Sequence, residues 1–135
     1  MSDIKRNLEI MWNGRDSDDV DATLAAHDRI LDMATAADVP MITGYLEREG
    51  NYCWLRELLM IQLLLLGGVD HLEKAFSMLQ QNEQEGHSSA ILTTEISGFV
   101  EHNADTYRPA LTKIISDSQS PFHEEAEWLL EYCNQ

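Results

Sequence analysis

Between Tyr52 and Leu66 this chain places apolar residues on nearly every side of a helix: Leu55, Leu58, Leu59, Met60, Ile61, Leu63, Leu64 and Leu65. A helix of that kind has no face to leave in water, so the remaining chain must cover it. Its longest apolar run, Leu58 to Leu66, is interrupted by Gln62 and is far shorter than the ~20 residues of a membrane span. The expectation is a central buried helix, stopped by Gly67-Gly68, and no membrane partner.

The flanking segments repeat the helical period. Ile4, Leu8 and Met11 mark a first amphipathic helix that ends near Asn13-Gly14. Val20, Leu24, His27, Leu31 and Ala34 mark the inward face of a second, expected to run to about Asp38, and Pro40 opens a third with Ile42, Tyr45 and Leu46 inward. Beyond the central fourth helix, a fifth carries Val69, Leu72, Phe76 and Leu79, and polar Gln80 to Gly86 forms a connector. A sixth uses Leu92, Ile96, Phe99 and Val100, a seventh Tyr107, Leu111 and Ile114, and an eighth Phe122, Ala126, Leu129, Leu130 and Cys133. No segment alternates as a strand does, so the expected class is all-α with about eight helices. At 135 residues a single domain is expected, with residues 1–38 as N-terminal capping helices and 39–135 as helical pairs.

Charge narrows the partners. The 24 Asp and Glu against nine Lys and Arg leave a formal charge of −15, which repels nucleic acid, phosphate and anionic membrane surfaces. Folding gains nothing from such an excess, so it serves either solubility or a basic partner. The start, Met1-Ser2-Asp3-Ile4-Lys5-Arg6, shows no signal-peptide pattern, which points to a cytoplasmic protein. Cys53 and Cys133 lack metal-ligand spacing and fit buried reduced thiols.

Helices three and four, five and six, and seven and eight make three helix-turn-helix pairs of repeat-like length. The segment Ile42-Thr43-Gly44-Tyr45-Leu46 followed by Tyr52-Cys53-Trp54-Leu55-Arg56 has an echo in Leu111-Thr112-Lys113-Ile114-Ile115 followed by Pro121-Phe122-His123-Glu124. Residues 40–134 thus resemble a short HEAT-type α-solenoid. The small acidic chain, with its Gly-Tyr-Leu and Trp-Leu-Arg segments and Gly-Gly before the next helix, also resembles all-α immunity proteins of bacterial polymorphic toxin systems. That resemblance implies a binding protein that neutralises a cognate toxin domain.

Candidate chemistry is sparse. Asp16, Asp18, Asp19 and Asp21 invite a calcium loop, but the turn glycine and bidentate glutamate of such a loop would fall where Asp21 and His27 stand. The match fails, and capping and the helix dipole are the favoured reasons for aspartates there; if the cluster is functional, a basic partner suits it better than an ion. His27 lies on an apolar stripe and fits a satisfied core histidine, and the other histidines form no zinc pattern. No nucleophile motif or phosphate loop is present. No metal and no cofactor are expected. The most suggestive surface is the eighth helix, where Glu124, Glu127 and Glu131 share the face opposite the apolar stripe and Trp128 borders them. Trp54 is a second candidate contact residue.

These features favour a binding protein whose partner is a basic protein, on the immunity resemblance a toxin domain. An acidic adaptor or assembly scaffold is the alternative, and an enzyme on a helical scaffold ranks third.

Overall fold

The computed structural model describes residues 2–16 and 18–134, and among them the chain is all-helical, with no strand. The helices are α1 (Asp3–Trp12), α2 (Val20–Met33), α3 (Val39–Glu47), α4 (Cys53–Gly67), α5 (Leu72–Gln84), α6 (Ala90–His102), α7 (Ala104–Ser116) and α8 (His123–Cys133). Short 3₁₀ turns cover Asn13–Asp16, Ala36–Asp38 and Gly68–His71. None of these helices is long and apolar enough to cross a membrane. The chain divides into two compact units, residues 1–67 and 68–135.

In the first unit α1 packs along α2 and against α3, and α3 packs on α4. Ser2 caps α1 by accepting from the Lys5 amide, and Ile4, Leu8 and Met11 turn inward at their expected spacing. The second helix differs from expectation in two ways. It ends at Met33, because Ala34 and Thr35 are extended and the Asp38 carboxylate accepts from the Thr35 amide at 2.8 Å to start a new turn. Its buried face is also not the one expected. Thr23, Ala26, His27 and Ile30 are inward, whereas Val20, Leu24 and Leu31 are 53%, 40% and 41% exposed.

Helix α4 is the most continuously buried element, with every residue from Leu55 to Leu64 inside. Beyond that stretch Leu65 is 55% exposed and Leu66 half-buried. The helix stops where Gly68 takes φ +60°, a left-handed conformation that residues with a Cβ adopt only at a cost. Its polar residues are bonded. Arg56, fully buried, donates to Asn51 Oδ1 at 2.8 Å, and the Cys53 thiol, only half-buried, lies 3.6 Å from Glu57 Oε1.

Gln62 reaches back to α2, donating to His27 Nδ1 at 2.8 Å and to the His27 carbonyl at 3.2 Å. That bond needs a neutral Nδ1, and burial lowers the His27 pKa below its ordinary 6.5 against a smaller opposing effect of Asp28. Because the unfolded chain then binds the proton more readily, His27 contributes stability above pH 6.5 that is lost as pH falls through the lower folded value. The stability difference between the native chain and a His27→Gln variant should therefore shrink between about pH 7.5 and about pH 5 in urea unfolding. A constant difference would show that the ring does not titrate out of its bond.

In the second unit α7 and α8 pack most extensively on each other and run antiparallel, as their short connector favours; Arg108 in α7 donates to the Cys133 carbonyl at the end of α8 at 2.6 Å. Helix α6 packs on α8 and α7 rather than forming the expected pair with α5. The inward residues of α6, α7 and α8 include Leu92, Ile96, Val100, Tyr107, Leu111, Ile114, Ala126, Leu129 and Cys133, as their spacing anticipates. Phe76, fully buried on α5, meets Phe122 with ring centroids 5.7 Å apart. Helix α5 runs through the Gln80–Gln84 stretch that reads as a connector. Gln and Glu are good helix formers, and buried Asn82 ties the helix end down by donating to Ser89 Oγ at 2.9 Å.

Candidate functional site

The eighth helix presents the acidic face its sequence implies. Glu124, Glu127 and Glu131 are exposed, while Ala126, Leu129 and Cys133 are buried on the other side. Trp128 stands at the border, half-buried, with its indole edge-on to Tyr132 at 5.9 Å between centroids. Glu124 and Glu125 fall in the first turn, where the helix dipole favours negative charge. The unit they belong to holds half of the acidic residues but, of the basic ones, only Lys74, Arg108 and Lys113.

Beside this face lies a pocket of about 510 Å³, built within the second unit by α5, the start of α6 and α8. Leu79 and Trp128 give it apolar walls; Glu83, Glu124 and Glu125 give it carboxylates. Ser89, Thr93 and His87 complete the lining, which includes no Lys or Arg. Of this lining the sequence pointed to Glu124 and Trp128 as contact residues; Glu125, Glu83, Ser89 and Thr93 were missed, and Glu125 is the most notable of them. Its Oε1 accepts from Gln80 Nε2 at 3.0 Å, and the same amide nitrogen reaches the Pro121 carbonyl at 3.0 Å. Its Oε2 is buried and has no hydrogen-bond partner among the described residues. The available signal was the Glu124-Glu125 pair, whose second member flanks the apolar stripe instead of joining the outer face.

The aspartate cluster has a largely local role. Asp19 caps α2 by accepting from the Ala22 amide at 3.0 Å, and Asp16 lies 3.6 Å from the Arg15 guanidinium in an exposed pair of small energetic value. Asp18 and Asp21 are exposed. Asp21 continues into a row with Asp28 and Asp32 at i, i+7 and i+11, exposed along α2 next to the uncovered Val20, Leu24 and Leu31. Among the described residues no three His, Cys, Asp or Glu side chains are grouped to hold a metal ion.

Trp54 lies half-buried in the first turn of α4, away from the acidic rows of α2 in sequence and not among the residues lining the pocket. A different aromatic cluster forms in its unit. The Arg48 guanidinium sits 4.2 Å from the Trp12 ring centroid and 3.7 Å from Glu9 Oε1, and the Tyr45 hydroxyl donates to the same carboxylate oxygen. Burial and that bond push the Tyr45 pKa up to about 12, so the phenol stays protonated and the cluster acts as a structural tie. Burial likewise raises the Cys133 thiol, partly offset by Arg108, which makes it a poor nucleophile.

The geometry therefore offers two surfaces suited to contact: an acidic-edged apolar row on α2, and an acidic face with an aromatic-walled pocket on α8. Compared with known proteins, the chain matches no family model, no curated protein and no solved structure.

Proposed function

We propose that this chain is a binding protein whose partner is a basic protein domain, and that it neutralises that domain by covering its working surface. The observation that carries this reading is the outer face of α2. Val20, Leu24 and Leu31 form an uncovered apolar row at i, i+4 and i+11, edged by Asp21, Asp28 and Asp32. Apolar residues supply affinity when an interface desolvates them, and the flanking charge selects a partner of opposite sign. The net charge of −15 extends the same preference over the whole chain. Domains that act on nucleic acid or other polyanions carry basic grooves, so an acidic protein seated there blocks the substrate. The α3–α4 and α7–α8 pairs support a helical-repeat scaffold as the frame for these faces, in keeping with the resemblance to toxin-neutralising immunity proteins.

Affinity capture from the source cell, with mass spectrometry and co-expression, tests the proposal. The expected result is one tightly held partner of strongly positive net charge, toxic alone and tolerated when this chain is co-expressed. Several weak partners without growth rescue would replace neutralisation with an adaptor role.

A further inference from the structure

The α5–α6–α8 pocket demands a particular chemistry. Three carboxylates dominate its polar lining: the exposed groups of Glu83 and Glu124, and Glu125, whose buried Oε2 has no hydrogen-bond partner among the described residues; the exposed His87 ring and the Ser89 hydroxyl are among its neutral polar members. The Thr93 hydroxyl is already turned to the Ser89 carbonyl at 3.0 Å, and Ser89 Oγ accepts from Asn82. A buried carboxylate oxygen without a donor is costly, and native proteins rarely leave one so. An anionic ligand would meet three carboxylates and is excluded on charge. What fits is a donor-rich cation with a flat face to lie against the Trp128 indole.

We propose that this pocket receives an arginine side chain of a protein partner, its guanidinium stacked on Trp128 and donating to Glu125 Oε2. The inference rests on the basic-partner reading above and names the contact that partner makes. Guanidinium carries five N–H donors in a plane, meets carboxylates bidentately and stacks on aromatic rings. A lysine ammonium, compact and strongly hydrated, gains less from the indole wall. Leu79 covers the aliphatic stem of the bound side chain, and Glu124 at the rim attracts it from solution.

The test uses the whole chain and a defined probe, Nα-acetyl-arginine amide, titrated while the indole N–H signals are followed by NMR, with Trp128→Phe assigning the Trp128 signal. The Trp128 signal should shift with a dissociation constant on the order of millimolar, as expected for one small side chain. The citrulline counterpart, equal in shape but uncharged, should produce no saturable shift, and the lysine counterpart should bind several-fold more weakly. Glu125→Gln keeps the shape and should weaken the arginine probe about tenfold, with an unchanged circular-dichroism melting profile confirming the fold.

No shift with the arginine probe, an equal response to citrulline or lysine, or an unchanged affinity in Glu125→Gln overturns the assignment. The two proposals fail separately. Probe binding without any basic protein partner overturns the neutralisation reading and leaves the guanidinium site standing. A captured partner that binds Glu125→Gln and Trp128→Phe as tightly as the native chain overturns the pocket and leaves the partner reading standing.

Discussion

Leu59→Ala is expected to lower the free energy of unfolding by about 2–5 kcal/mol, the range for truncating a buried leucine. Leu59 is fully buried midway along α4, within the unbroken buried stretch from Leu55 to Leu64. The loss has two parts: the apolar surface no longer removed from water, and the space its neighbours fail to close. Leu63, also fully buried one turn later, should respond similarly. Leu65→Ala is the internal control. At 55% exposure it should change stability by less than about 0.5 kcal/mol, although the residue type and helix are the same. Urea unfolding by circular dichroism distinguishes these outcomes, and a Leu59 effect as small as that of Leu65 would remove α4 from the centre of the protein's stability.

The burial of α4 was legible because its apolar residues occupy every helical row, leaving one solution. The stripes of α7 and α8 were legible for a related reason: only one row on each helix is apolar enough to bury. Helix α2 was not. It carries two competing rows, Val20-Leu24-Leu31 and Thr23-Ala26-Ile30, with His27 between them. The more apolar row stays outside, and the buried side includes His27, whose partner Gln62 lies 35 residues later in the chain, where no local window reaches. The same long-range character hid Glu125. Its neighbour Gln80 is 45 residues away, in a segment whose polarity reads as a connector although it is helical. The outer acidic face of α8, by contrast, follows directly from the spacing of Glu124, Glu127 and Glu131 opposite Ala126, Leu129 and Cys133.

The second large effect concerns association. Replacing Glu124, Glu127 and Glu131 together with Lys should slow binding to the basic partner by about one to two orders of magnitude at low salt, because rim charges act mainly on encounter. The three side chains are exposed, so the fold should remain intact. Leu24→Ala with Leu31→Ala should act on the other rate. These residues, 40% and 41% exposed, contribute little to folding, but their loss from a desolvated contact should speed dissociation about tenfold. The separation matters, since a general destabilisation would not divide between the two rates in this way.

The most direct measurement is the association rate of the captured partner with the native chain and with the triple glutamate variant across a series of ionic strengths, by surface-plasmon kinetics. An acidic surface that steers a basic partner predicts a steep fall of the native rate with salt and a shallow one for the variant, the two converging at high salt. Equal rates at every ionic strength would contradict it, and would reduce the charge of −15 to a device for solubility.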